Sequence, residues 1–354
     1  MDDDLLIFMA FSFAEGFFYA IMIKMICPKG ILAMIDLMTR MNDAVSSQLS
    51  DADAAKLAKD ARTISENYRL RTGSGARLLT KESEALAYAA SRMPATAAAA
   101  YTAISCAIDA AGIAPYTLLD CGAGTGAASW AADALIDLER VTCLEREDAM
   151  RAVGQRLMKE AGGALASAQW ASWDLTDKTP LPRAGLVVEG YMLGELAENM
   201  RLPAARRLWD AAGEMLVLIE PGTPQGFANL LAVREYLCGL GAYVAAPCPA
   251  GTGKCPMKDG DWCHFTVRVQ RTKLHKLLKG GEAPYEDEKF AYMVFTREAP
   301  KNACSARVLR HPQIEPGRIS LTLCENGKKT NRIITKKDPL WKRARKIGAG
   351  DCVD

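Results

Sequence analysis

The sequence predicts an α/β protein in which a doubly wound parallel sheet follows a helical region and precedes a cysteine loop and a C-terminal β extension. Three observations carry this prediction. From Pro115 onward, short apolar runs alternate with stretches of helical periodicity, which is typical of parallel strands joined by helical crossovers. Apolar runs such as Met215–Ile219 fit strands buried on both faces. A turn with three glycines, at residues 122–126, joins the first apolar run to the first helical stretch.

Composition describes a globular protein with an uneven charge distribution. The 354 residues can hold one α/β domain with a further module or long extensions. The net charge of +2 indicates no particular partner, but residues 301–354 contain 13 Lys and Arg against 5 Asp and Glu. The 11 cysteines are not spread like a secreted disulfide framework. Three of them lie within sixteen residues, which favours a metal site in a reducing compartment.

Composition and periodicity divide the chain into four parts. Residues 1–40 form an apolar N-terminal extension, and residues 42–111 form a helical region. Residues 112–300 form a Rossmann-like domain with a cysteine-rich insertion at 246–265. Residues 301–354 form a basic C-terminal β extension.

The apolar stretch Leu5–Ile23 in the N-terminal extension is about as long as a membrane span, although Glu15 interrupts it. A signal peptide would carry positive charge first, whereas this chain begins with Asp2–Asp4. Three interpretations stay open: a membrane anchor, a buried helix, or residues that precede a true start at Met41. The third interpretation is favoured. Membrane contact through residues 5–23 is therefore possible but not expected.

The helical region is expected to serve packing and partner contact. Ser50 is a suitable N-cap for a helix over Asp51–Asn67. A second helix begins near Lys81 and ends at Pro94, and a third covers Ala95–Ala111. No residue pattern here indicates chemistry.

The glycine turn predicts a small-molecule site. Residues 117–126 read TLLDCGAGTG, and glycines let the backbone turn sharply and approach a ligand closely. The spacing G-x-G-x-G differs from the G-x-G-x-x-G of dinucleotide sites. Asp120 would repel a pyrophosphate but suits a positively charged ligand such as S-adenosylmethionine. The stretch resembles the first motif of class I S-adenosylmethionine-dependent methyltransferases, and that resemblance makes the following residues candidate cofactor ligands: Asp120, Gly122, Ala123, Gly124 and Gly126.

Acidic residues follow the next two predicted strands. The five strands are expected near 117–120, 140–144, 168–172, 184–189 and 214–219. Ligands of such sheets lie beyond the carboxyl ends of the strands. Glu145 is placed to accept ribose hydroxyls, and Asp174 to accept the adenine amino group while Trp173 lies against the ring. Each is an ordinary strand-end residue when taken alone, but their order after successive strands favours a nucleoside cofactor.

No catalytic residue can be assigned from the sequence. Methyltransferases acting on exocyclic amines usually carry an Asn/Asp-Pro-Pro-aromatic motif after the fourth strand, whereas residues 189–196 read EGYMLGEL. Methyl transfer can depend largely on positioning, because the cofactor carries its own leaving group. Cofactor binding without catalysis is therefore an open alternative.

A cysteine loop follows the sheet. Residues 247–265 read PCPAGTGKCPMKDGDWCHF, with six and seven residues between Cys248, Cys255 and Cys263. This spacing is neither the C-x-x-C of a zinc ribbon nor the ferredoxin run. Cys304 or Cys324 could supply a fourth thiolate to a cluster, and His264 could instead complete a zinc site. Free buried thiols are the plain alternative.

Several sequence blocks resemble the Rsm22 family, the methyltransferase-like proteins of the bacterial and mitochondrial small ribosomal subunit. The resemblance covers residues 45–350 and is most specific in two blocks. The matching blocks are LVLIEPGTPQGF (216–227), APCP (246–249), CP (255–256), DWCHFTVRVQRTKLHKLLKG (261–280) and YEDEKFAYMVFTR (285–297), with DWCHF and EDEKF the most specific parts.

The resemblance implies a Rossmann-type S-adenosylmethionine fold, association with the small ribosomal subunit and its rRNA, and a [4Fe–4S] cluster. It implies no DNA partner. Carried over by motif, the cluster ligands are Cys248, Cys255, Cys263 and Cys324, the last within SLTLC (320–324). Zinc becomes the alternative metal.

Together these features predict an S-adenosylmethionine-binding, iron–sulfur-containing methyltransferase-like protein that acts on or assembles the small ribosomal subunit. The alternative is a catalytically inactive assembly or RNA-binding factor on the same fold, with zinc in place of the cluster. The expected location is the bacterial cytoplasm, or the mitochondrion in a eukaryote. A basic tail fits RNA phosphate contact without sequence choice, and its residues are Lys328, Lys329, Arg332, Lys336, Lys337, Lys342, Arg343, Arg345 and Lys346.

Overall fold

The computed structural model describes residues 28–49, 54–71, 79–174, 177, 179–249, 251, 253–257 and 260–353. The apolar stretch Leu5–Ile23 lies outside these residues. Within the described part of the chain, no helix combines the length and the apolar character that crossing a membrane requires.

Four helices precede the sheet: α1 (Pro28–Gln48), α2 (Ala54–Arg71), α3 (Glu82–Ser91) and α4 (Met93–Ala111). Helix α1 crosses the boundary that the sequence placed at residue 40, and its Leu37 and Met41 are fully buried in the core. Pro94 lies in the first turn of α4, where its missing N–H has no helical partner to lose. Gly112 ends α4 in the left-handed conformation.

The central sheet confirms the predicted fold class. Its strands are β1 (Thr117–Cys121), β2 (Arg140–Leu144), β3 (Gln169–Ala171), β4 (Ala184–Gly190), β5 (Ala212–Pro221), β6 (Tyr243–Ala246), β7 (Phe265–Gln270) and β8 (Tyr285–Thr296). They lie in the order β3-β2-β1-β4-β5-β8-β6, and β7 pairs with β8. Strands β1 to β5 are parallel, whereas β8 is antiparallel to β5 and β6. This is the strand order of class I S-adenosylmethionine-dependent methyltransferases.

Helices cover both faces of the sheet. The connecting helices are α5 (Ala127–Asp133), α6 (Asp148–Ala161), α7 (Gly163–Ala166), α8 (Glu198–Ala211), α9 (Pro224–Gly239) and α10 (Lys273–Lys279). Trp130 of α5 belongs to the core on one face, together with α1 to α4, while Trp209 of α8 and Leu230 of α9 belong to the core on the other. The switch in strand order falls between β1 and β4, where a ligand crevice is expected.

The C-terminal extension is a separate antiparallel sheet. It contains β9 (Ala306–Val308), β10 (Gln313–Glu315), β11 (Arg318–Glu325) and β12 (Lys328–Thr335), followed by the short helix α11 (Trp341–Ala344). Asn326 and Gly327 both have positive φ and form the two-residue turn between β11 and β12. Ile319 and Leu321 point into a small core with α11, so the opposite face of β11 is available to other parts of the chain.

Candidate functional site

A cavity of about 900 Å³ lies beyond the carboxyl ends of the parallel strands, at the switch in strand order. Its volume lies within the usual range for small-molecule sites. Four of the seven candidate cofactor residues line it: Gly122, Gly124, Glu145 and Asp174. Asp120, Ala123 and Gly126 are not part of the lining.

The glycine turn that forms one wall needs its glycines for backbone reasons. Gly122, Gly124 and Gly126 have φ values of +73°, +57° and +90°, a region that side chains with a Cβ rarely adopt. A Cβ on Gly122 would also lie 2.7 Å from Met192 Sδ, which belongs to the same cavity wall. The turn therefore combines a fixed backbone shape with close approach to the cavity.

Glu145 connects the end of β2 to this turn. Its Oε2 accepts a hydrogen bond from the Gly124 amide at 2.9 Å, and its Oε1 accepts one from the Glu147 amide at 2.8 Å. A carboxylate oxygen can accept more than one hydrogen bond. The carboxylate therefore keeps capacity to accept hydroxyl donors from a ligand in the cavity.

Asp120 lies behind the turn and is not part of the cavity lining. Its Oδ2 accepts hydrogen bonds from the Ser129 amide at 3.1 Å and from Ser129 Oγ at 2.7 Å, and the residue is buried. Burial raises the pKa of Asp120 to about 6, although the hydrogen bonds from Ser129 oppose this rise. Its observed role is to hold α5 against the turn.

Trp173 and Asp174 form the wall after β3. The indole Nε1 of Trp173 is buried, and among the described residues it has no hydrogen-bond partner. Asp174 lies 3.5 Å from the guanidinium of Arg146, and both residues line the cavity. An indole donor and a carboxylate acceptor at one wall fit a nitrogen heterocycle with donors and acceptors on its edge.

Three acidic side chains lie near the carboxyl ends of β4 and β5: Glu189 in β4, Glu195 in the segment after it, and Glu220 in β5. Glu189 is fully buried, and its Oε1 accepts hydrogen bonds from the amides of Met192 at 2.7 Å and Leu193 at 3.1 Å. Burial raises the pKa of Glu195 and of Glu220 to about 7, and the pKa of Glu189 well above its usual value. These carboxyl groups therefore carry much less charge near neutral pH than exposed ones. Glu195 and Glu220 line the cavity, and a carboxyl group whose pKa lies near neutral pH can accept or donate a proton there.

The outer part of the cavity comes from elements that the sequence did not assign to it. Tyr88 of α3 and Arg92, which separates α3 from α4, lie on one side, while Lys279 of α10 and Glu288 of β8 lie on the other. Tyr191 has a φ of +63° and donates a hydrogen bond of 3.1 Å to Glu288 Oε1. Backbone strain of this kind concentrates at functional sites. Lys279 and Glu288 lie within the family-specific sequence blocks, but only tertiary packing brings them to the same cavity as Tyr88 and Arg92.

The four candidate metal ligands line a second, much smaller cavity of about 30 Å³. Cys248 follows β6, Cys255 and Cys263 belong to the loop before β7, and Cys324 lies in β11. All four are free thiols. Burial raises the pKa of Cys263 and of Cys324 to about 12, and neighbouring cysteines contribute to the rise while Arg307 opposes it.

The other two metal candidates lie elsewhere. Cys304 forms a disulfide with Cys352, which leaves Cys324 as the fourth thiol of the cavity. His264 is not part of the lining. In the described part of the chain, no three His, Cys, Asp or Glu side chains are grouped closely enough to hold a single metal ion. One zinc ion would draw all four sulfur atoms to a single centre, whereas in a four-iron cluster each thiolate binds a different iron. The four free thiols that line this apolar cavity are the residues that could hold a metal centre.

Sequence comparison decides the family. The model of the family described as "Mitochondrial small ribosomal subunit Rsm22" matches residues 82–354. The chain belongs to the Rsm22 family. This family assignment agrees with the blocks around the cysteine loop.

A human relative is the mitochondrial ribosome assembly protein METTL17. It is 27% identical to this Rsm22-family chain over 258 residues, which cover 67% of this chain and 55% of the human protein. The chain therefore spans about half the length of the human relative.

Solved methyltransferase structures resemble the chain more distantly. A putative RNA methyltransferase from Pyrococcus horikoshii is 13% identical, with a TM-score of 0.37, and covers 67% of this chain and 96% of that one. The magnesium protoporphyrin IX methyltransferase from Synechocystis with bound S-adenosylmethionine is 13% identical, with a TM-score of 0.38, and covers 68% and 97%. The fold class rests on the strand order described above.

Proposed function

We propose that this Rsm22-family chain binds S-adenosylmethionine in the large cavity and acts on or assembles the small ribosomal subunit through its rRNA. The observation that carries the proposal is the joint position of Gly124 and Glu145 at the cavity wall, at the carboxyl edge of a methyltransferase-type sheet. Cofactors of such sheets bind at this edge.

Each part of the cofactor meets a suitable side chain in this proposal. Glu145 accepts the ribose hydroxyls, while Asp174 and the Trp173 indole face the adenine. The backbone of Gly122 and Gly124 lies along the amino-acid part. Bound S-adenosylmethionine would supply an activated methyl group. The chain would supply the position of the cofactor and of its target.

The proposed ribosomal partner draws on the human relative and on charge. That relative is named a ribosome assembly protein. In this chain Lys336, Lys337, Lys342 and Lys346 are exposed on the segment after β12, where they can meet RNA phosphates. We place the protein in the cytoplasm of a bacterium, or in the mitochondrion of a eukaryote.

The proposal includes a [4Fe–4S] cluster held by Cys248, Cys255, Cys263 and Cys324. Its support is the convergence of four free thiols, from three segments of chain, on one cavity. The cluster would join the C-terminal sheet to the Rossmann-like domain, because Cys324 lies in β11 and the other three ligands lie in or beside the central sheet. Zinc is the alternative metal.

A second candidate function is an assembly factor without catalysis. The observation that favours it is that residues 189–196 read EGYMLGEL and lack the Asn/Asp-Pro-Pro-aromatic motif. Glu189 of this segment is fully buried, accepts hydrogen bonds from the amides of Met192 and Leu193, and is not part of the cavity lining.

One experiment separates the two candidates. Small subunits from cells that lack the protein are incubated with purified chain and labelled S-adenosylmethionine, and both RNA labelling and subunit maturation are measured. The variant is Glu145→Gln, and the matched control is the exposed Glu139→Gln. An enzyme labels the RNA with wild-type and E139Q protein and not with E145Q. An assembly factor restores maturation in all three without labelling. A wild-type chain that neither binds the subunit nor the cofactor would contradict both.

A further inference from the structure

Two buried arginines lie beside the cavity that the four cysteines line. Arg234 of α9 is 2% exposed and Arg307 of β9 is 6% exposed, and both belong to the lining. They come from the two sides of the cavity, because α9 packs on the central sheet and β9 belongs to the C-terminal sheet. Neither residue takes part in the cofactor cavity.

The hydrogen bonds of both arginines go to neutral carbonyl groups of the surrounding loops. Arg234 Nη2 donates to the carbonyl of Gly251 at 2.6 Å and to that of Gly253. Arg307 Nε donates to the carbonyl of Pro247 at 2.5 Å, and its Nη1 donates to that of Gly350 at 2.7 Å. The two guanidinium groups therefore hold the surrounding loops, but the carbonyl groups that accept these hydrogen bonds do not neutralise their positive charge.

The positive charges have no ion-pair partner in the part of the chain that the structure describes. No carboxylate of those residues lies within salt-bridge distance of Arg234 or Arg307. The Nε atom of Arg234 is buried without any partner there. A buried charge is costly unless an opposite charge compensates it, and two like charges around one cavity increase that cost.

Both guanidinium groups face thiols. Arg234 Nη2 lies 3.9 Å from Cys248 Sγ. Arg307 and Cys324 are directly opposite each other in the antiparallel pair of β9 and β11, so their side chains leave the same face of that sheet. The cavity therefore has four thiols that can become anionic and two cations on opposite sides.

We propose that Arg234 and Arg307 are positioning residues that supply the counter-charge for an anionic metal centre bound by Cys248, Cys255, Cys263 and Cys324. This inference rests on the proposed function, which supplies the centre. Four thiolates give a centre of net negative charge whether it contains iron and sulfide or zinc. The two arginines offset that charge, and through the carbonyls of residues 247, 251 and 253 they hold the cysteine loop, which carries three of the four ligands.

The test compares variants that keep the charge with variants that remove it. The full-length chain is loaded anaerobically with iron and sulfide, as wild type and as Arg234→Lys, Arg234→Gln, Arg307→Lys and Arg307→Gln. The exposed Arg332→Gln serves as the control. Metal per chain, the rate of metal loss to a chelator, and the midpoint potential in a dithionite titration are measured.

The charge-removing variants should lose metal about tenfold faster than wild type, and each Lys variant should stay closer to wild type. The midpoint potential of the Gln variants should shift to more negative values, because reduction adds an electron to a centre that has lost a positive neighbour. The R332Q control should match wild type in both measurements. A zinc-loaded chain should show the same order of metal loss.

Three negative results have different meanings. A wild-type chain that takes up neither iron nor zinc contradicts the metal centre in the proposed function, and this inference with it. A wild-type chain that holds metal, beside Gln variants with unchanged retention and potential, contradicts only the role of the arginines. Lys and Gln variants that unfold at the same lowered temperature but keep the wild-type potential would show that the arginines only shape the loop.

Discussion

Glu145 and Gly124 are joined by a hydrogen bond of 2.9 Å between the carboxylate Oε2 and the backbone amide. The bond links the loop after β2 to the turn after β1, and the second carboxylate oxygen binds the Glu147 amide in its own loop. One side chain thus fixes two neighbouring walls of the large cavity. A ligand that binds Glu145 therefore meets a turn whose shape is already set.

Substitution of Gly122 is expected to weaken cofactor binding more than it weakens the fold. In Gly122→Ala the new methyl group meets Met192 Sδ, a flexible atom that can move into the cavity. Gly280→Ala is a matched control, because Gly280 has a φ of +60° in the left-handed helical region and no other atom within 4 Å of the added Cβ. Both variants should lose about 1–2 kcal/mol of unfolding free energy from backbone strain. Only G122A should weaken S-adenosylmethionine binding, by about tenfold or more in calorimetry. If G122A and the wild-type chain bound S-adenosylmethionine with equal affinity, the ligand would have to lie away from the turn.

Loss of the Asp120 carboxylate is expected to destabilise the fold. Asp120→Ala removes both hydrogen bonds to Ser129 and leaves its buried amide unpaired, which costs about 1–3 kcal/mol. Ser129→Ala removes only the hydroxyl bond and should cost less. Urea unfolding of the two single variants and the double variant measures the coupling between the residues. Full additivity would show that the pair does not interact.

The pH dependence of stability is expected to reveal the buried Glu220. Burial raises its pKa from 4.5 to about 7, so its stabilising contribution is complete below pH 4.5 and is lost as the pH rises through 7. The groups around it are Glu189, Glu195, Arg201 and Asn229. In Glu220→Gln the unfolding free energy, measured relative to wild type, should therefore increase from pH 5 to pH 8. The exposed Glu139→Gln should show a flat difference. A flat difference for E220Q as well would mean that the carboxyl group titrates normally.

The disulfide in the C-terminal extension is expected to stabilise that sheet. Cys304 and Cys352 are 48 residues apart, and removal of such a crosslink costs about 2–4 kcal/mol. Cys304→Ser, Cys352→Ser and the double variant should all lose the same amount in thermal unfolding, since each breaks one bond. Metal content should be unchanged in all three. A loss of metal in C304S would contradict this prediction and would make Cys304 a candidate metal ligand again.

Local sequence patterns were sufficient for the five parallel strands β1 to β5 and for the glycine turn, whereas β6, β7 and β8 were not predicted. The alternation of side chains along β1 explains why Asp120 is not part of the cavity lining: it lies on the same face of the strand as Leu118, where α5 packs, and not at the open edge. Residues such as Arg92 and Lys279 could not be predicted for the cavity. Their position depends on how α3, α4 and α10 pack against the sheet edge, and no short pattern encodes that packing.

The residues of the cysteine cavity, too, could be predicted only in part from the sequence. The spacing of Cys248, Cys255 and Cys263 suggested a shared centre, but periodicity could not choose between Cys304 and Cys324. The pairing of β9 with β11 brings Cys324 to the cavity, and the disulfide occupies Cys304. Arg307 reaches the cavity through the same strand pairing. Both strands of this pair are far from the cysteine loop in sequence, so no local pattern predicts the contact.

Calorimetric titration of S-adenosylmethionine into the purified chain tests the central claim most directly. We predict saturable binding of one cofactor molecule per chain, much weaker in Glu145→Gln and unchanged in Glu139→Gln. Absence of binding to the folded wild-type chain, or equal binding by E145Q, would contradict the account.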